Sequence, residues 1–239
     1  MSRTRRTAFA LLIVTLATTA LLLCRWQLHR LWARRASNGA ILTARALPPL
    51  DYRGGLTQPV PGRRLLARGQ FEPGDQMLLR GRVHDQAPGL EVATAFRIAG
   101  SETVLWVLRG FVASPDAATI PDVPTPTPGE VTITGLTLAV PTTSDSGQRL
   151  VRGSDTTWRR LDQAVIADRT PSALPVYLLL DGGEGGPGRL PAVDPPVLDD
   201  GPHLSYALQW FGIALAILAF GIIAWRRADP GSAQPPAAP

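Results

Sequence analysis

Cysteine is nearly absent from this 239-residue chain, with Cys24 alone. That excludes an internal disulfide and any metal site built on several thiolates. Histidine is scarce as well, limited to His29, His84 and His203. No G-x-S-x-G or H-E-x-x-H motif accompanies them, so neither a nucleophile elbow nor a zinc-protease helix is encoded. A P-loop and a dinucleotide fingerprint are missing too; Gly182-Gly183 and Gly185-Gly186 follow a strand-like run but open no helix. Nothing in these residue types argues for an enzyme. A basic globular part is also lacking. The formal net charge is +5, but Arg3, Arg5 and Arg6 supply three units at one end. Arg226 and Arg227 against Asp229 supply one more at the other, which leaves the long middle segment nearly neutral. The high isoelectric point is therefore no footprint for nucleic acid.

Long apolar runs are what the chain does have. Tyr206 to Trp225 holds twenty residues without a charge, enough at about 1.5 Å per residue to cross a hydrocarbon core of roughly 30 Å. Thr7 to Cys24 is a second run of 18 residues. It exceeds the usual core of a secretory signal, and no small-x-small cleavage site closes it, so a retained helix is expected. Around the later run, Asp194, Asp199 and Asp200 precede and Arg226 and Arg227 follow, which places the C-terminus in the cytoplasm by the positive-inside rule. Two spans put both termini on one side. The expected organisation is a cytoplasmic tail (1–6), a transmembrane helix (7–24), an extracytoplasmic β-rich domain (25–205), a second transmembrane helix (206–225) and a cytoplasmic tail (226–239). The expected class is a membrane α+β architecture, a helical hairpin carrying one β-rich domain.

Within the middle segment, Arg34 to Leu47 reads as a short helix interrupted at Gly39 and stopped by Pro48-Pro49. A loop follows through Gly54-Gly55 and Pro59 to Gly62. Six strand-like runs are bounded by Gly, Pro or Asp: Arg64–Phe71, Gln76–Arg80, Leu90–Ile98, Thr103–Val112, Val131–Val140 and Val176–Leu180. Ser114 to Glu130 is dense in proline and reads as a mobile polar loop. Asp155 to Asp168 reads as a helix capped by Asp155, since Trp158, Leu161, Val165 and Ile166 recur near helical spacing. A small antiparallel sheet or partly closed barrel is the expected outcome. A second Gly- and Pro-rich stretch, Asp181 to Pro196, leads back to the membrane.

Chemistry is concentrated at the membrane-proximal ends. Trp26, His29 and Arg30 share a helix face beyond the first run; His203, Tyr206 and Trp210 lie at the start of the second. A hairpin would bring two imidazoles, aromatic rings and a guanidinium to one interfacial level. Neutral imidazole ligates haem iron, aromatic walls suit a porphyrin and arginine suits a propionate. The plainer reading is an ordinary interfacial belt. His84, in a glycine-bounded turn, reads as a surface residue.

At these positions the chain resembles a known family. His203-Leu204-Ser205-Tyr206-Ala207-Leu208-Gln209-Trp210-Phe211 resembles the second-span signature of the surfeit locus protein 1 family, assembly factors for haem-copper cytochrome c oxidase. Trp26-Gln27 followed by Arg30 is similar to its W-Q-x-x-R. Leu105 to Val112 (LWVLRGFV) is similar to its central strand, which usually ends in Asn-Arg-Gly-Trp; here Leu108 and Phe111 depart while Arg109 and Gly110 remain. Cys24 stands where the family often has glycine. The resemblance spans nearly the whole chain and implies a carrier or chaperone for haem a, with His203 as candidate iron ligand. Arg30 would orient a propionate or anchor the helix, and Tyr206, Trp210 and Trp26 would line the site. His29 as second ligand is a geometric expectation only; Gln27, Arg109 and Gly110 are expected in structural or partner contacts. The implied partners are oxidase subunit I, a haem a synthase and membrane lipid. The rival expectations are a cofactor-free scaffold docking through the β domain and an envelope adaptor unrelated to respiration.

Overall fold

The computed structural model describes residues 3–55, 59–145, 147–182 and 190–227. Parts of the expected loops, 56–58 and 183–189, and the tail 228–239 lie outside the described residues. In chain order the elements are α1 (Arg3–Ala46), β1 (Leu50–Tyr52), β2 (Arg64–His84), β3 (Ala87–Ile98), β4 (Val104–Ala113), β5 (Glu130–Ala139), β6 (Leu150–Arg152), β7 (Asp155–Thr157), α2 (Gln163–Arg169), β8 (Ala173–Leu180) and α3 (His203–Arg227). They form two compact units, residues 1–39 with 198–239, and residues 40–197.

The first unit is an antiparallel helix pair. Its seam is built mostly from small or polar residues, with Leu31 the one large apolar side chain among those buried in the two helices. On α1 these are Ala17, Ala20, Gln27, Leu31 and Asn38, and on α3 they are Ala207, Ala214 and Gly221. The surrounding leucines, isoleucines and valines are largely exposed. This inverts the soluble pattern and matches helices solvated by lipid, where small residues let backbones approach. Gly221 shows the need most directly, because a Cβ there would sit 2.7 Å from Ile13 Cγ2. Beyond the apolar stretch polar contacts take over. Asn38 Nδ2 donates to the Asp199 carbonyl at 2.8 Å, and Arg35 pairs with Asp200 at 2.8 Å. Both helices are long and apolar enough to cross a membrane. The break expected at Gly39 is not there: α1 runs unbroken to Ala46. One glycine costs a helix only about 1 kcal/mol, and this one has open space around it. Pro48 does end the helix, as expected.

The second unit is a closed barrel. The sheet order β1-β2-β3-β4-β8-β5 is completed by pairing of β5 back onto β2. Four of the pairings are antiparallel, but β1–β2 and β4–β8 are parallel, so the expected antiparallel sheet is in fact mixed. Arg64–Phe71 and Gln76–Arg80 are one long strand. The Pro73-Gly74 interruption is absorbed as a register shift between Glu72 and Gln76, which bends β2 so that it can pair with β5 first and β3 later. Leu65, Phe71, Phe96, Leu105, Ile133 and Leu178 come from five strands and fill the interior. Alternate residues, including Met77, Ala95 and Trp106, face outward under a cover of Trp158, Leu161 and Ile166.

That cover accounts for a second correction. Asp155–Asp168 is not one helix. Its Thr-rich start forms β7 against β6, and Trp158 exchanges backbone hydrogen bonds with Leu78 and Arg80. The helix begins only at Gln163. Its cap is Asp162, whose carboxylate accepts from the N–H groups of Ala164 and Val165. The proline-rich segment after β4 has no regular structure, as expected, but it is docked rather than loose. Ile120 and Val123 pack on Leu90, Val92 and Leu190. Asp116 accepts from Thr119 and Ala118 N–H groups, which together with its other hydrogen bonds hold its carboxyl well below the usual range.

Candidate functional site

His203 is the first residue of α3, set there by the Gly201-Pro202 turn; Pro202 caps nothing with an N–H, but its carbonyl accepts from Tyr206 N–H at 3.1 Å and Ser205 Oγ at 2.8 Å. The half-buried imidazole turns into the seam, where its Nδ1 lies 2.9 Å from Gln27 Oε1. With the amide oxygen accepting, Nδ1 carries the proton and Nε2 keeps its lone pair. The arrangement resembles the way proteins orient a metal-ligating histidine, by tying down the ring nitrogen that does not bind. Gly201 lies beside the other edge, where a Cβ would be in ordinary van der Waals contact with Nε2 at 3.6 Å.

The remaining predicted residues divide around this pair. Gln27, expected among structural contacts, is the residue that meets His203. Trp26 and Arg30 lie on one flank of the α1 seam, both exposed, with the guanidinium 5.9 Å from the indole centroid. Tyr206 is exposed and Trp210 half-buried, the latter on the His203–Ala207–Ala214 side of α3. His29 is exposed and two positions beyond Gln27, about 200° round the helix at 100° per residue. His29 thus points away from the seam, which runs through Gln27 and Leu31 and into which His203 turns. Among the described residues no cluster of three His, Cys, Asp or Glu exists.

In the barrel unit, Arg109 and Gly110 form a bulge. Val92 pairs with Gly110 and Ala93 with Leu108, so Arg109 is the extra residue. Its buried guanidinium donates to the Pro124 carbonyl at 2.9 Å and to Gln76 Oε1 at 3.4 Å, and lies 5.8 Å from the Phe71 ring centroid. Gly110 adopts φ 155°, and a Cβ would be 2.5 Å from the Pro191 carbonyl, which accepts from Phe111 N–H. The pair shapes the strand and fastens two loops to it. Nearby on β3, burial pushes the Glu91 carboxyl above its ordinary value against the opposing pull of Arg82. His84 lies at the surface, half-buried, with its ring 5.3 Å from that of Phe111 and tilted 33° to it.

The sequence profile of the SURF1 family matches residues 14–215. The chain belongs to the SURF1 family. SURF1-like proteins of Mycobacterium bovis and Mycobacterium tuberculosis are 32% identical to it over 253 residues, covering 96% of this chain and 90% of each relative. The SURF1 family is generally linked to cytochrome c oxidase assembly, and the matched region contains Trp26–Arg30, Leu105–Val112 and His203–Phe211. Sequence reasoning did not single out Asn38, nor the tie between Asp199, Asp200 and α1. A signal for the helix seam was present, in the seven-residue spacing of Ala207, Ala214 and Gly221.

Proposed function

We propose that this SURF1-family chain is an integral membrane assembly factor that holds haem a for insertion into subunit I of cytochrome c oxidase. The observation that carries the reading is the His203–Gln27 hydrogen bond. With the amide oxygen accepting from Nδ1–H, the neutral imidazole presents its Nε2 lone pair as a ligand for iron. A bound haem would supply only the redox-active group to be delivered; the protein's part is to hold and orient it. His203 would provide a nitrogen ligand to the iron, Trp210 and Tyr206 apolar walls beside it, and Arg30 or its neighbours a cation for a propionate. In this reading both helices cross the bacterial plasma membrane with the termini in the cytoplasm, and the barrel lies on the opposite side. Subunit I and a haem a synthase are the partners between which haem passes, and no reaction is catalysed.

The test is complementation of a deletion strain by the full chain and by His203→Ala. The wild type restores the haem a signal of membranes and co-purifies with subunit I. His203→Ala, accumulating to the same level, retains subunit I but not the haem a signal. Full restoration by His203→Ala would leave a cofactor-free scaffold as the function.

A further inference from the structure

The two-residue hairpin between β2 and β3 turns on Asp85 and Gln86, whose φ angles of 47° and 66° are the left-handed pair such a turn requires. It holds the Asp85 side chain out in solvent, 94% exposed. Further along β3, Gly89 makes room for a ring: a Cβ there would stand 2.4 Å from Phe111 Cζ. Phe111, reaching across from β4, sets its ring centroid 5.3 Å from that of His84. A groove of about 430 Å³ opens beside this pair. Phe111, Val112 and Leu190 give it an apolar floor, and His84, Asp85 and Asp122 supply its polar groups.

The fixed charge along this groove is all negative. No arginine is among the described residues that line it, in a chain with 24 basic residues. Asp122 is exposed and pairs with no cation among the described residues, and Asp85 is within ion-pair distance of His84 alone, at 3.5 Å. Arg82, two residues before His84 on β2, is taken up by Glu91 at 2.9 Å. Apolar walls with carboxylates at their rim suit a hydrocarbon stem that ends in a cation, the form of an arginine or lysine side chain. Such a side chain lays its methylenes on apolar surface and keeps its head at the water boundary, where a carboxylate receives it. The volume falls in the range that takes a drug-sized molecule, so residues on either side of the cation have room as well. We propose that this groove docks a segment of a partner protein through one arginine or lysine, its stem on Phe111 and Leu190 and its head at Asp85 and Asp122. Haem binding at His203 is not required for it.

The test uses the full-length protein in detergent and the capped pentapeptide Gly-Leu-Arg-Leu-Gly, alongside the same peptide carrying citrulline, the neutral isostere of arginine. Saturation-transfer NMR reads both affinities, weak ones included. The arginine peptide is expected to bind about ten-fold more tightly than the citrulline peptide, the worth of two partly exposed ion pairs. Asp85→Asn/Asp122→Asn removes that preference and leaves the affinity for the citrulline peptide unchanged, which shows the groove still folded. Asp168→Asn, at an exposed carboxylate of α2 outside the groove, keeps the preference. Equal affinities of the two peptides for the wild type, a preference that survives in the double variant, or no binding of either peptide overturns the docking site. Binding of n-propylguanidinium as tight as that of the arginine peptide overturns the partner segment in favour of a small cation. A dimer of the full chain that the arginine peptide dissociates overturns a separate partner in favour of a second copy.

Discussion

Replacing Asp162 by alanine should destabilise the barrel unit far more than replacing Asp155, the cap suggested by the sequence pattern. Asp162 is fully buried. One carboxylate oxygen caps α2 through Ala164 and Val165 N–H groups, and the other accepts from both the N–H (2.8 Å) and the hydroxyl of Thr143. Loss of the cap costs about 1 kcal/mol. Two further bonds to a charged acceptor, with buried donors left behind, add roughly 1 kcal/mol each. The sum is about 3 kcal/mol, which for a domain of this size is a fall in Tm of roughly 6–12 °C. Asp155, at the start of β7 with Ser154 as its hydroxyl donor, should cost under about 0.5 kcal/mol. The assay is thermal unfolding of the full chain in detergent, followed by near-ultraviolet circular dichroism. There is also a pH signature. Although burial alone raises the Asp162 carboxyl, its hydrogen bonds lower it below its ordinary value overall. Its folded pKa being depressed, the stability it contributes is present above the unfolded carboxylate pKa and is lost as pH falls through the folded one. Asp162→Asn should lack that part of the acid dependence. Equal Tm values for Asp162→Ala and Asp155→Ala would refute the assignment of cap and cover.

Two other substitutions probe the helix seam and the strand bulge. Gly221→Val should cost about 1–3 kcal/mol through overpacking against Ile13, and Ile13→Ala in the same chain should recover most of it; purely additive losses in detergent melts would deny the contact. Arg109→Met should cost about 2 kcal/mol by removing the bond to the Pro124 carbonyl. Amide hydrogen exchange over residues 119–125 should quicken with it, and unchanged exchange there would show that Arg109 does not fasten this segment.

Much of the barrel was legible because its strands are bounded by Gly, Pro and Asp, and local patterns survive folding. What escaped depends on pairings distant in sequence. Nothing near β5 announces that it will close onto β2, or that β8 will run parallel to β4. Pro73-Gly74 reads locally as a strand end, yet in the closed sheet it is the bend of one long strand. Trp158 and Leu161 fit a helical period equally well as a cover over the outer face of β2 and β4. The site shows the same division. His203 stands out by chemistry at the mouth of an apolar run, but its partner is fixed by the seam. That seam follows small residues, which draw less notice than tryptophan, histidine and arginine. Reading Ala20 on α1 as a packing position would have pointed, seven residues on, to Gln27 ahead of His29.

In the proposed function His203, held by Gln27, ligates haem iron. Its most direct test is the absorption spectrum of the purified full-length protein loaded with haem a. The loaded protein is expected to show a Soret band that is lost in His203→Ala. In Gln27→Leu the band should persist but require about 10–100-fold more haem to saturate, the usual cost of losing the hydrogen bond behind a ligand. A Soret band of unchanged position and intensity in His203→Ala would contradict it.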